Sequence, residues 1–170
     1  MADTVIKYFS NEKIAKRVLI KNGKAVFPDD KLKKIKSLME KSEENGKDGN
    51  FKSTIAYCSK AIELDSSYTD AYFSRGTLKL NDMQFDEAVV DFDNALQIEP
   101  YMYKVYRNRA FVRIRKYQLA NSRILNKNDN MAILASKDKV PIPDGEKGKI
   151  CSDLHEAVFL GDKSKMIYEA

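Results

Sequence analysis

One spacing constrains this chain more than any other: similar residues recur every 34 positions. Leu38, Tyr72 and Tyr106 stand 34 apart, and so do Ser42, Gly76 and Ala110. The same step relates Phe51 to Phe85, Thr54 to Ala88, Cys58 to Phe92, Ala61 to Ala95 and Leu64 to Ile98. A fixed period of this size marks an array of stacked supersecondary units. Each period holds two amphipathic helical stretches around a polar turn. The turn is Gly46-Lys47-Asp48-Gly49 in the first unit and Asn81-Asp82-Met83-Gln84 in the second. One such hairpin cannot bury its apolar face, so neighbours must stack to form a core. The small residues fall where paired helices cross, because a bulky side chain there would force the axes apart. Pro100 cannot continue the second helix and helps to end it.

The clearest unit, AYFSRGTLKLNDMQFDEAVVDFDNALQIEP over 71–100, places aromatic Tyr72, small Gly76, aromatic Phe85, small Ala88, aromatic Phe92, small Ala95 and terminal Pro100 in register. It resembles the tetratricopeptide-repeat (TPR) family. The preceding unit, LMEKSEENGKDGNFKSTIAYCSKAIELDSS, matches more loosely. The resemblance implies a mostly α fold, a TPR helical-hairpin solenoid of about three repeats. The third repeat is interrupted. Its first helix reads VYRNRAFVRIRK, but the matching second helix comes only at KGKICSDLHEAVFLGD, over 147–162. Leu154, Ala157 and Leu160 repeat Phe92, Ala95 and Ile98 at an offset of 62. Since 62 is 34 plus 28, a 28-residue insertion separates the two helices. That last stretch also resembles the C-terminal half-repeat of a group of bacterial TPR proteins, with Ile150 where a small residue is usual.

The expected organisation is an N-terminal β-like arm over 1–30, repeats over 31–68, 69–102 and 103–162 with the insertion at 117–146, and a C-terminal helical extension over 163–170. In the arm, the apolar runs VIKYFS, KRVLI and KAVF are broken at Asn11-Glu12 and Asn22-Gly23, the second a hairpin signal. Asp29 or Asp30 is the expected N-cap of the first helix. Within the insertion, 117–126 is expected to extend the helix or form its own turn. NMAILASKDKVPIP reads as two β-like runs around Ser136-Lys137-Asp138-Lys139, with Pro141 and Pro143 confining the second to an edge.

In the TPR family the first helices of successive repeats line a concave groove. The resemblance places Met39, Glu40 and Glu43, then Phe73, Ser74 and Thr77, then Lys104, Arg107, Asn108, Phe111 and Arg115 on that groove. Aromatic residues beside arginines suit a peptide with a hydrophobic anchor and an acidic flank. The alternative for Phe73 and Phe111 is packing against the insertion or the arm. Family members that bind chaperone tails hold a terminal carboxylate with Lys, Asn, Asn, Lys and Arg. Here those positions are Met39, Glu43, Ser74, Lys104 and Asn108, of which only Lys104 matches, so tail binding of that kind is not expected. Arg75, Lys79 and Arg109 stand at inter-helix positions. Their stems can pack while their charges reach Asp91 and Asp93 on the following helix.

Composition narrows the function. The formal charge of +5 is unevenly spread, at +4 over 1–50, −5 over 51–102, +6 over 103–146 and zero thereafter. An acidic middle argues against the continuous basic face that nucleic acid requires. A structural zinc site needs about four ligands, so two cysteines and one histidine cannot build one of the usual kind, and no metal or other cofactor is expected. Both cysteines are expected as buried free thiols at apolar helix positions. His155 lies mid-helix with no motif around it. No nucleophile elbow, phosphate loop or metal-ligand spacing is present, so no catalytic residues and no enzyme are expected. No stretch is long and apolar enough to span a membrane, and MADTVIKYFS lacks a signal-peptide core. The expected protein is soluble, in the cytoplasm or in the periplasm or envelope after signal removal. The leading expectation is a peptide- or protein-binding scaffold. The alternatives are a homo-oligomerising assembly module using the insertion or terminal helix, and an envelope-associated bacterial TPR protein in a surface complex.

Overall fold

The computed structural model describes residues 3–8, 14–21, 24–26, 29–47, 49–120, 122–127, 132–136 and 140–164. The chain divides into two compact units, residues 1–37 and 38–170. In the first, β1 (Asp3–Tyr8), β2 (Ile14–Lys21) and β3 (Lys24–Val26) form an antiparallel sheet in the order β1-β2-β3. Lys21 pairs with Lys24, the register of a two-residue hairpin connection; residues 22 and 23 themselves lie outside the described residues. The division between the units falls inside α1 (Asp29–Lys47). That helix begins at Asp29, so the two residues expected before it as caps are its first two positions.

The second unit contains the rest of α1, then α2 (Phe51–Leu64), α3 (Thr69–Asn81), α4 (Phe85–Ile98), α5 (Tyr103–Leu119), the strands β4 (Ser122–Lys127) and β5 (Ala132–Ser136), and α6 (Asp144–Phe159). Helices α3 and α4 pair, as do α5 and α6, and α2 on α3 and α4 on α5 supply the stacking. The small positions behave as their spacing requires. A Cβ built on Gly76 would lie 2.9 Å from Cε1 of Phe92, so the α3–α4 crossing leaves no room for a methyl group. The preceding repeat has Ser42 there, whose hydroxyl is 3.1 Å from Sγ of Cys58. The next repeat has buried Ala110. The core of the array is Ala88, Phe92, Ala95 and Leu96 of α4 against Val105 and Val112 of α5.

The turns repeat as well. Gly49 and Met83, one period apart, both have positive φ, 74° and 62°. At Met83 this closes α3, with the Gln84 N–H donating to the Lys79 carbonyl at 2.8 Å. A left-handed conformation costs a side-chain-bearing residue about 1–2 kcal/mol, partly offset by the entropy that a glycine loses on folding. Met83→Gly is therefore expected to raise stability by roughly 0.5–1 kcal/mol, read as a higher urea midpoint with an unchanged slope.

Ionic contacts fix the register of the interrupted repeat. Arg75 of α3 binds Asp91, 16 residues later. Arg109, one period after Arg75, binds Asp153 of α6, 44 residues later. The excess is the inserted segment, and α5–α6 is a repeat hairpin like α3–α4. The inserted strands differ from expectation. They are β4 and β5, with Ser122 facing Ser136 and Lys127 facing Ala132. The residues that join them, 128–131, lie outside the described residues. Of the expected turn Ser136-Lys137-Asp138-Lys139, Ser136 is the last residue of β5 and 137–139 lie outside the described residues. Residues 140–143 form no strand, and their two prolines lead into α6. That helix starts at Asp144, ahead of the expected Lys147, and ends at Phe159. Of the expected helical extension, Lys163 and Ser164 are irregular and 165–170 lie outside the described residues.

Candidate functional site

Helices α1, α3 and α5 are the first helices of their hairpins. Asn108 of α5 donates from Nδ2 to the Thr77 hydroxyl of α3 at 3.4 Å, and Thr77 in turn donates to the Phe73 carbonyl at 2.9 Å. Leu78 of α3 approaches Gly46 of α1, its Cδ2 lying 3.8 Å from where a Cβ would stand. The three helices therefore lie side by side, and two of the expected groove residues, Thr77 and Asn108, are brought into contact.

The other candidates divide into accessible and occupied groups. Lys104, Arg115, Glu40 and Glu43 are exposed, and Met39, Ser74 and Phe111 are half-buried. The Arg115 guanidinium lies 5.8 Å from the centre of the Phe111 ring, a cation–π contact that joins an apolar surface to a positive one. Phe73 is different. Its ring packs 6.1 Å from that of Phe92 and against the α4–α5 core, so the repeat itself engages it. Arg107 is occupied too: Nη1 donates to Oδ2 of Asp162 at 3.2 Å, and that carboxylate is buried. Asp162 is held in turn by the Ser164 N–H at 2.9 Å and by the turn at Gly161, whose φ is 101°. Lys104 and Arg115 remain as the exposed cations of this face, about three turns apart along α5.

The inter-helix cations do what their spacing suggests. Arg75 binds buried Asp91 through Nε at 2.9 Å and Nη2 at 2.7 Å, and Lys79 reaches the same carboxylate at 2.8 Å. Arg109 bridges Asp93 and Asp153, and Arg113 also binds Asp153. Arg113 stands one period after Lys79, so the two triads are repeats of one device. Their aromatic neighbours repeat as well, with Arg75 5.7 Å from the Tyr72 ring and Arg109 5.5 Å from the Tyr106 ring. A cleft of about 400 Å³ beside Arg109, Arg113 and Lys149 adjoins the second triad. Asp153 and Glu146 already hold its cations, which leaves it nearly neutral. Sequence reasoning missed Asp153 and Arg113. Applying the 34 and 62 offsets to charged as well as apolar positions would have found both.

The cysteines part company. Cys58 is buried, and loss of solvation pushes its thiol above the ordinary range. Cys151, expected to be buried, is exposed. It occupies the place of Val89 in α4, which packs towards α5, but no described helix follows α6. Iodoacetamide is therefore expected to alkylate one cysteine of the native protein, Cys151, and both in denaturant, as counted by intact mass.

No protein-family model matches the chain, and no curated protein matches it by sequence. Solved structures do match. The TPR domain of Arabidopsis OM64 aligns with a TM-score of 0.61 at 16% identity, over 82% of this chain and 92% of that one. The first TPR of Spaghetti (RPAP3), bound to the HSP90 peptide SRMEEVD, gives 0.61 at 15% identity over 81% and 86%. YrrB, described as a TPR protein with an unusual peptide-binding site, gives 0.58 at 16% identity over 79% and 55%. With the repeat register and the crossing of Gly76 on Phe92, these likenesses establish that the chain has the tetratricopeptide-repeat fold.

Proposed function

We propose that this chain is a non-catalytic scaffold that binds an extended peptide segment of a partner protein across α1, α3 and α5. The observation that carries the reading is the exposed pair Lys104 and Arg115, flanking Phe111 on a face whose helices α3 and α5 are held in register by Asn108 and Thr77. One of the similar structures, the first TPR of Spaghetti (RPAP3), is bound to a peptide, which supports a peptide as the ligand class. The ligand differs from that one in one respect. Four of the five positions that would hold a terminal carboxylate are Met39, Glu43, Ser74 and Asn108, and Glu43 repels an anion. An internal segment with an aromatic or aliphatic residue beside aspartate or glutamate fits better, its apolar side chain on Phe111 and its acid on Lys104 or Arg115.

An immobilised peptide array tests this directly. The wild-type chain should retain internal acidic-hydrophobic peptides, and adding a free C-terminal carboxylate should change little. Lys104→Glu and Arg115→Glu should each weaken binding by about tenfold at low salt, roughly 1.4 kcal/mol, with unchanged melting temperature. Retention that is indifferent to both charge reversals would remove this face from consideration.

A further inference from the structure

We propose that Cys151 and His155 of α6 form half of a zinc site that a second copy of this chain completes, so that Zn2+ joins two copies through their terminal helices. Both residues are exposed, and among the described residues neither side chain has a hydrogen-bonding or ionic partner. They stand four positions apart on one helix. That spacing puts their Cβ atoms about 5–6 Å apart on one face, within reach of a single metal ion. Thiolate sulfur at about 2.3 Å and imidazole nitrogen at about 2.0 Å are ordinary zinc distances.

One copy cannot finish the site. The chain has one histidine, its other cysteine is buried against Ser42, and no group of three metal-ligating side chains occurs among the described residues. Zinc takes four such ligands. Two copies related by a two-fold axis supply two cysteines and two histidines.

The face around the pair is suited to that symmetry. Gly148, Cys151, His155 and Val158 follow a three–four–three spacing and form one seam of α6. Val158 and Phe159 are 38% and 77% exposed at one end of it. Nothing lies within 4 Å of where a Cβ would stand on Gly145 or Gly148 at the other end. Antiparallel pairing of two α6 helices sets the large residues of one copy over the glycines of the other. It also brings Cys151 opposite the second copy's histidine at the centre, and Lys149 near the second copy's Glu156. The face is open because Cys151 and Val158 hold the places of Val89 and Leu96, which belong to the packing of α4 on α5, and no described helix follows α6. The opposite end of the array offers no match: Glu40, Lys41 and Glu44 of α1 are exposed and charged. Two-fold pairing of like ends is therefore favoured over head-to-tail growth.

Light scattering on the full chain, with reductant present to exclude disulfides, reads the outcome. Zn2+ should double the mass at one ion per two chains, and a chelator should restore the monomer. Zinc should also protect Cys151 from iodoacetamide. Cys151→Ser and His155→Ala should each remain monomeric with zinc while melting like the wild type, since both positions are exposed. Co2+ in place of Zn2+ should show thiolate-to-metal charge-transfer absorbance that Cys151→Ser abolishes. The proposal is overturned by a chain that stays monomeric with zinc, by a dimer that ignores the chelator, or by zinc-driven association that survives in the double variant.

Discussion

Asp153→Ala is expected to destabilise the array by about 3 kcal/mol, whereas Asp93→Ala, which breaks a salt bridge of the same arginine, should cost no more than about 1 kcal/mol. The difference comes from burial. The Asp153 side chain is 5% exposed and holds both Arg109 and Arg113, whose own side chains are 17% and 13% exposed. Removing it leaves two largely desolvated guanidinium groups without their main carboxylate, and the desolvation is no longer offset by attraction. The loss falls at the lower end of the range for such breaks because Arg109 keeps Asp93 and Arg113 keeps Glu146. Asp93 is 44% exposed, so water replaces it readily. Urea unfolding measures both, and salt separates them further: screening should erase most of the Asp93 effect and little of the Asp153 effect. Equal losses for the two variants would mean that the second triad does not hold α6 to α5.

Phe92→Ala is the second large expectation, at about 3–5 kcal/mol. The ring is fully buried between Gly76, Phe73 and the residues of α5 that close the core, so its removal leaves a cavity there. Its coupling to Gly76 gives a sharper test than the single loss. Gly76→Ala alone should cost about 1–3 kcal/mol, because its new methyl group would lie 2.9 Å from the fully buried Phe92 ring. With Phe92→Ala already present the clash is gone. The same change should then be neutral or stabilising by up to about 1 kcal/mol, the helix propensity of alanine over glycine. A double-mutant cycle reads that reversal of sign. Additive losses would show that the two residues do not share the crossing.

Much of the architecture was legible because repeats write their geometry locally. Tyr72, Gly76, Phe92 and Ala95 specify a hairpin within one period, and their recurrence specifies stacking. The interruption was legible for the same reason, since Ala157 and Leu160 keep the offset that Leu154 begins. The inserted strands were less so. In a short apolar run flanked by polar residues, Ile124 and Leu134 have no period long enough to fix a register, and the pairing depends on which polar cluster turns first. The groove was legible as a set of positions but not as a set of available groups. Nothing near Arg107 in sequence announces that Asp162, 55 residues away, occupies it. The same holds for Phe73, whose aromatic character serves an anchor or a core equally well until Phe92 is placed against it.

Residue size and periodicity alone specify the repeat, its hairpins, the positions where helices must approach closely, and the place where a repeat is split. They suffice because they act between neighbours a turn or a period apart. Which charges are free, which aromatics are buried and which cysteine faces solvent are matters of packing, because they depend on what lies across the gap between helices. Lys104 and Arg115 stay accessible because no acidic residue among the described ones is folded against them, and Cys151 is exposed because α6 is the last described helix of the array. The recurring spacing therefore says what the scaffold is. The ends and pairings of that scaffold decide what it can hold.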